Sequence, residues 1–282
     1  MACQAMGLGA AAAIVYAGRR MHFHAIGLPL EGPADLDALL ETCIPEADAL
    51  GTWEGSEHLT WTDASGAGLA IRLREGGVDC ITPFFLPADV SALRVGPSRW
   101  HVDPGCIDCS GVDVDVSPEG DTITRSSVQL THPRVWRATL EERPTYALRL
   151  AAFAHELAFF EDEAALLASR SDEEPSFAPN AFLPLGMFKG PEAPLSDAAI
   201  AMFNGTVDAV ETRTNAGGGS FLRLRVTSMA GALDVVASPE QVPSDVLPGQ
   251  LAHVVGWLVG EPALPRPEAP RKKTGLLSRF FG

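Results

Sequence analysis

The chain has 282 residues, of which 46% are hydrophobic and 20% are charged, so it is long enough to bury one large core or two ordinary ones. Its formal net charge of −15 argues against nucleic acid as a partner and disfavours anionic membrane surfaces, because both would repel it. The unevenly spaced cysteines Cys3, Cys43, Cys80, Cys106 and Cys109 do not indicate a disulfide framework, and they favour a cytoplasmic location.

Residues 1–20 form an apolar, Ala/Gly-rich N-terminal extension. Arg19 and Arg20 follow its apolar stretch, whereas in a signal peptide the basic residues come first. The stretch is also shorter than the ~20 residues that span a bilayer. We expect either a buried or loosely packed first segment or an extension upstream of a translation start at Met21. Residues 22–28 are predicted to form a first strand.

Residues 21–171 are predicted to form a β-rich α+β domain. Pro33, the early acidic residues after it and apolar residues at helical spacing predict a short helix over 33–40. Short strand-like runs between glycine-bearing turns follow at residues 59–61, 69–73, 78–81, 112–116 and 127–131. This pattern is typical of an antiparallel sheet.

The pattern of residues 145–169 supports two interpretations. Apolar residues recur at alternating spacings of three and four, as in a helix, yet residues 146–152 also alternate as in a strand. We expect a strand or a helix up to Phe160, and a helix over 161–169.

Residues 172–199 read as a connector that is first acidic and then proline-rich, and residues 200–262 form the clearest unit. Three strand-like runs, a possible helix start at Ser238-Pro239-Glu240 and a returning strand follow one another there. The turn at residues 215–219 is glycine-rich and is predicted to be flexible. This unit resembles a small Greek-key barrel of the OB type. We therefore predict an α+β, β-rich fold, with an antiparallel-sheet N-terminal domain and a small C-terminal OB-like β-barrel.

Residues 263–282 comprise a proline-rich linker and a basic, apolar tail. The residues predicted to contact a partner are Arg271, Lys272, Lys273, Leu276, Leu277, Phe280 and Phe281. On a short helix the four apolar residues would share one stripe that fits a groove on a partner protein. Peripheral contact with a membrane interface, packing against the body and disorder are the alternatives.

A metal site is the second feature considered. Cys106 and Cys109 form a CxxC pair that is predicted to lie in a loop, with His101 as a possible third zinc ligand and Cys43 or Cys80 as a fourth. No second CxxC exists, so two ordinary thiols are the simpler interpretation and no cofactor is expected.

Two other histidine motifs point to no metal. His22 and His24 lie two residues apart and would share one face of a strand, where solvated side chains are the simpler interpretation. His155-Glu156 begins like a zinc-protease motif, but Phe159 stands where its second histidine would have to be.

The predicted barrel offers a third candidate. Phe221, Arg223 and Arg225 alternate with apolar residues and would share the face on which OB barrels grip single-stranded nucleic acid. Residues 201–261 nevertheless carry three arginines, no lysine and six acidic residues, which argues against this use.

No sequence motif fixes a reaction, and no catalytic residue is predicted. The pattern favours a non-catalytic intracellular interaction or accessory protein whose tail docks on a partner or surface. A metal-dependent hydrolase using cysteines and histidines, and an OB-type binder of single-stranded nucleic acid, are the alternatives.

Overall fold

The described residues fold as two β-sheets whose strands are connected in part by short helices. The structure is a computed structural model that describes residues 20–75, 77–90, 94–95, 100–103, 106–116, 122–143, 145–169, 177–189 and 195–268. The chain is β-rich throughout these residues, as the composition of its strand-like runs predicts.

The N-terminal part is a four-stranded antiparallel sheet preceded by two helices. Helix α1 spans Arg20–His24 and α2 spans Pro33–Cys43, and a 3₁₀ turn at Ile44–Glu46 leads into the sheet. Its strands pair in chain order and are β1 (Asp48–Trp53), β2 (Ser56–Thr62), β3 (Ala67–Arg74) and β4 (Gly77–Phe85). The predicted helix at 33–40 and the predicted antiparallel sheet are both confirmed.

The predicted first strand at residues 22–28 is wrong. Met21 accepts a backbone hydrogen bond from Ala25 at 3.1 Å, and the chain turns at Gly27 with a φ of 72°. Residues 22–28 are buried at nearly every position, so they lack the one buried and one exposed face that the alternation of a half-buried strand predicts. The local alternation was therefore accidental, and the core selects a helix.

The remaining elements build a ten-stranded sheet. They are β5 (Arg94–Val95), β6 (Trp100–Asp103), β7 (Cys106–Val116), β8 (Thr124–Leu130), α3 (Pro133–Glu141), β9 (Tyr146–Phe160), α4 (Glu163–Ala168), β10 (Phe182–Pro184), a 3₁₀ turn (Leu185–Phe188), α5 (Leu195–Ala198), β11 (Ile200–Thr214), β12 (Ser220–Ser228), β13 (Gly231–Ala237), a 3₁₀ turn (Pro239–Gln241) and β14 (Leu251–Pro262).

Five of these strands close into a barrel in the C-terminal half. The pairs β9–β14, β14–β11, β11–β12 and β12–β13 are antiparallel, and β13 closes the ring by pairing with β9 in parallel. The predicted OB-like barrel is thus present. Its fifth strand lies before the connector, so the predicted range of 200–262 omits β9. An OB barrel has the same ring with one parallel joint, but there the strand equivalent to β9 comes last in the chain.

Strand β9 is the segment whose pattern also fitted a helix. Leu150, Ala152 and Ala154 face the barrel interior, while Ala151 and Phe153 face a second core on the outside. A strand buried on both faces is apolar at nearly every position, so it loses the alternation that identifies a half-buried strand. The helix predicted after it is confirmed at Glu163–Ala168, where Asp162 accepts a capping hydrogen bond from the Ala165 amide at 2.8 Å.

The barrel wall is shared by two hydrophobic cores. The first fills the barrel and extends to β7, β8 and α3, and includes Trp136 and Phe203. The second lies between the N-terminal sheet with α1 and α2 and the outer face of the barrel, and includes Phe153 and Trp257. The N-terminal sheet therefore covers part of the surface that a free-standing barrel would expose to solvent.

Candidate functional site

The outer face of β12 and β13 carries a network of arginines and carboxylates. Asp234 Oδ1 accepts hydrogen bonds from Arg223 Nη2 at 2.8 Å and from Arg225 Nη1 at 3.2 Å. Arg223 Nη1 also donates to Glu211 Oε1 at 2.8 Å, and Glu211 Oε2 accepts from Arg213 Nη2 at 2.8 Å. The predicted pair Arg223 and Arg225 does share a face, as its spacing requires.

Hydrogen bonds and charge attraction from the carboxylates of this network engage the side chains of Arg223 and Arg225. Burial alone would lower the pKa of Arg223, but hydrogen bonds and charge attraction from Asp234 and Glu211 outweigh it and raise that pKa. The pKa of Glu211 is lowered, chiefly by its hydrogen bond from Arg213. Asp234 is fully buried, so its carboxylate is compensated by the two guanidinium groups rather than by water.

Phe221, the predicted stacking residue, is buried in the second core. Its ring meets Phe85 of β4 edge-on, with ring centroids 6.0 Å apart. The Arg213 guanidinium from β11 lies over the Phe85 ring, 5.7 Å from its centroid. It also donates a hydrogen bond to the Ser65 carbonyl oxygen at 2.9 Å. The N-terminal sheet thus occupies the barrel face on which a base would have to stack.

The glycine-rich turn between β11 and β12 is anchored to the N-terminal segment. Asn215 Nδ2 donates to the carbonyl oxygens of Ile26 at 3.0 Å and Gly27 at 2.7 Å. A Cβ atom at Gly219 would overlap the Gly27 carbonyl, so only glycine permits this approach. The turn predicted to be flexible is therefore a packed contact.

The predicted metal ligands lie on strands. Cys106 and Cys109 belong to β7 and His101 to β6, and the two strands pair as a hairpin with Asp103 opposite Cys106. The expected loop around the CxxC pair is thus wrong, because residues 106–110 continue the strand that carries Val112. Among the described side chains, which do not include these three, no group of three or more His, Cys, Asp or Glu residues is arranged to hold a metal ion.

His22 and His24 lie on α1, so they do not share one face of a strand. His22 Nε2 instead lies 2.8 Å from His155 Nε2, and its ring stacks on Trp257 with centroids 4.1 Å apart. Burial lowers the pKa of His155. No sequence signal could have paired these histidines, since 133 positions separate them.

A polar pocket that the sequence did not reveal lies between β2–β4 and the start of α3. It has a volume of about 20 Å³, and its polar lining comprises His58, Arg72, Cys80, Thr82, Thr131, His132 and Arg134. The His58 and His132 rings meet edge-on with centroids 6.0 Å apart. Burial, and then the charge of Arg72, lowers the pKa of His58 to about 4. Burial likewise lowers the pKa of His132 to about 3, so both imidazoles are neutral at pH 7.

The described chain ends at Glu268, so the predicted partner-binding residues 271–282 lie outside the described residues. Nowhere in the described ranges is there a helix with both the length and the apolar character needed to cross a membrane. Comparison with known proteins gives no match: neither a protein-family model, nor a curated protein, nor a solved structure is similar to this chain. The functional interpretation consequently rests on the geometry of the chain itself.

Proposed function

We propose that this chain is a non-catalytic intracellular interaction or accessory protein that recruits a protein partner through residues 271–282, called the tail below. The observation that carries the proposal is a contrast of charge. The tail contains four basic residues and no acidic one, so subtracting its four positive charges from the net charge of −15 leaves −19 on residues 1–270. A cationic, apolar segment on so acidic a body suits an apolar groove with an acidic rim on a partner.

The path of the chain just before the tail supports this role. The Ala263 amide donates to the Ala147 carbonyl at 2.9 Å, and Leu264 packs against the barrel core. Pro265, Arg266 and Glu268 are then exposed, so the chain leaves the body at its surface. Pro-rich segments are extended and semi-rigid, and the linker would therefore hold the tail away from the body.

The two alternative functions receive less support from the described residues. Arg223 and Arg225 are engaged by Asp234, and Phe221 is buried, which leaves little of the barrel face for a nucleic acid. The thiols of Cys43 and Cys80 are buried and free of disulfides, which suits a reducing compartment. Burial raises the pKa of Cys43 to about 12, so this thiol stays protonated and is a poor metal ligand or nucleophile.

The test is affinity capture from the native host with the full chain and with a chain lacking residues 271–282, followed by direct binding of the purified partner. We expect the deletion to abolish binding while the unfolding temperature stays unchanged, because both described cores are complete by Leu264. The double substitution Phe280→Ser/Phe281→Ser should abolish binding as well. Phe188→Ser is the matched control, since Phe188 is a 69% exposed apolar residue on the body.

Retention of the partner by the deleted chain would show that the proposal is wrong. Vesicles that contain phosphatidylserine provide the second arm of the experiment. If the tail directs the chain to these vesicles and no protein is captured, the membrane alternative replaces the recruitment of a protein.

A further inference from the structure

A surface groove, called the β1 groove below, lies beside the first strand of the N-terminal sheet. It has a volume of about 450 Å³ and is lined by residues 48–50 of β1, by Val135 of α3 and by residues 266–268 of the linker. Pockets that bind small ligands have volumes of about 300–1,000 Å³. The lining residues Ala49, Leu50, Val135 and Pro267 are apolar, so the groove is suited to apolar side chains of a binding partner.

The strand that borders the groove has an unpaired edge. β1 is the terminal strand of its sheet, and among the described residues it pairs with β2 alone. No turn or loop in the described ranges forms a backbone hydrogen bond with residues 48–53. The amide and carbonyl groups of such an edge can bind an extended segment of another chain. β1 therefore offers backbone hydrogen-bonding groups in addition to apolar contacts.

A β-bulge in this strand supplies one of the apolar contacts. In the pairing of β1 with β2, Ala49 lies opposite Leu59 and Gly51 opposite His58, so Leu50 is the extra residue. A bulge re-aims the side chain of its extra residue. Here that side chain lines the groove and stays only half-buried. The backbone of β1 is thus shaped to present a leucine beside the groove.

The chain around the groove is strongly acidic. Residues 31–71 contain no lysine or arginine, and their acidic residues are Glu31, Asp35, Asp37, Glu41, Glu46, Asp48, Glu54, Glu57 and Asp63. Glu46 and Asp48, at the start of β1, are exposed and form no ion pair with a described side chain. Arg266 is a basic residue of the lining, but its Nη2 lies 3.9 Å from Glu261 Oε2 on its own body. The apolar groove therefore has an acidic rim.

The tail has the composition that complements this groove. Its basic and large apolar residues are Arg271, Lys272, Lys273, Leu276, Leu277, Arg279, Phe280 and Phe281. Cationic and apolar groups in one short segment match a groove that is apolar at its centre and acidic at its rim. The body of the chain thus carries a surface of the kind that the tail requires on a partner.

The tail of the same chain is poorly placed to enter the β1 groove. Glu268 is itself part of the lining, and the tail begins only three residues later, at Arg271. To enter the groove, this tail would have to reverse its direction at once. Proline-rich segments are extended and semi-rigid, which opposes such a reversal. The tail of a second copy is free of this constraint.

We infer that the partner of the tail is a second copy of this chain, whose β1 groove receives it. The inference rests on the proposed function, since it names the partner that the tail recruits. Two copies that exchange their tails fill both grooves and close the assembly as a symmetric dimer. Closed dimers of this symmetry are the commonest soluble oligomers.

Sedimentation velocity of the purified full chain tests the inference. We expect the mass to shift from one chain to two as the protein concentration rises. Ala49→Arg places a long cationic side chain in the groove, and it should weaken self-association by about tenfold or more. Thr52→Arg is the matched control, because Thr52 is exposed on the same strand but is not part of the lining. Its dissociation constant should equal that of the parent.

A mixture of two variants tests the exchange of tails directly. Ala49→Arg has an intact tail but a blocked groove, whereas Phe280→Ser/Phe281→Ser has an intact groove but a defective tail. Each variant alone should remain a single chain, and their mixture should restore a species of two chains. The unfolding temperature of Ala49→Arg should match that of the parent, because Ala49 is exposed. If it does not, Asp48→Lys at the exposed rim serves as the groove variant.

The inference is overturned if the parent remains a single chain at every concentration, as it would with the tail bound to its own groove. It is also overturned if the groove variant associates as tightly as the parent, or if the mixture fails to form a species of two chains. The proposed function fails separately. A monomeric parent whose tail still captures a different protein would leave recruitment standing, whereas a monomeric parent that captures nothing would remove both.

Discussion

The Nε2 atoms of His22 and His155 lie 2.8 Å apart and join helix α1 to strand β9. In the pairing of β9 with β14, Val255 lies opposite Glu156 and Gly256 opposite Ala154, so His155 is the extra residue of a β-bulge. A bulge re-aims the side chain of its extra residue, and here the side chain meets the ring that stacks on Trp257. One proton must lie between the two nitrogens, and the contact therefore requires that at least one imidazole is neutral.

We predict that His22 and His155 are energetically coupled at neutral pH. In a double-mutant cycle of His22→Ala and His155→Ala, the coupling free energy should be about 1 kcal/mol near pH 7.5, as for a single hydrogen bond. Urea unfolding of the four proteins at pH 7.5 provides the measurement, and strictly additive effects would contradict the prediction.

The buried histidines of the polar pocket predict a loss of stability in acid. Both have folded-state pKa values of about 3 to 4, whereas they titrate near 6.5 in the unfolded chain. Below pH 6.5 the unfolded chain therefore binds more protons. The free energy of unfolding falls with pH by at most about 1.4 kcal/mol per pH unit for each histidine. Burial raises the pKa of Glu261, which opposes this trend.

The double substitution His58→Gln/His132→Gln isolates this effect. Between about pH 7 and about pH 5, the free energy of unfolding of this variant should depend less steeply on pH than that of the parent. The two slopes should differ by an amount that corresponds to at most two bound protons. Urea unfolding of both proteins at a series of pH values gives the two slopes. Equal slopes in the two proteins would show that these rings are not held neutral.

Asp234→Asn should destabilise the protein by about 3 kcal/mol, because it leaves Arg223 and Arg225 without their buried counter-charge. Asp208→Asn is the control on the neighbouring strand. Asp208 is exposed and accepts one hydrogen bond from Thr227 Oγ1 at 2.6 Å, so its substitution should cost less than about 1 kcal/mol. Chemical unfolding of both variants at neutral pH provides the measurement. Equal losses of the free energy of unfolding would contradict a role for Asp234 as the centre of the network.

Gly219→Ala should cost about 1–3 kcal/mol, since a Cβ atom there overlaps the Gly27 carbonyl and pushes the β11–β12 turn away from the N-terminal segment. The matched control is Gly217→Ala in the same turn. Its Cβ would lie 3.3 Å from Asn215 Oδ1 and would meet no backbone atom, so its cost should stay below about 1 kcal/mol. Thermal unfolding compares the two. If Gly219→Ala leaves the unfolding temperature unchanged, the turn does not pack against the N-terminal segment in solution.

The local hydrophobic pattern was sufficient to predict an element where one of its faces is buried and the other is exposed to solvent. The alternation of Val112, Val114 and Val116 with aspartates predicted part of β7, and those valines are fully buried. Turn glycines and a helix-start proline located the N-terminal sheet, α2 and the meander of the barrel in the same way. The pattern failed at α1, where a few alternating residues imitated a strand, and it left β9 undecided because both of its faces are apolar.

The sequence by itself determined an acidic, β-rich chain with an antiparallel N-terminal sheet, four barrel strands and a basic tail, because these follow from composition and from contacts between near neighbours. Only the tertiary structure decided that β9 closes the barrel, that Phe221 is covered by Phe85, and that His58 and His132 share one pocket. Such contacts join residues far apart in the chain, and each depends on the free energy of packing two whole sheets together. No short stretch of sequence encodes that quantity.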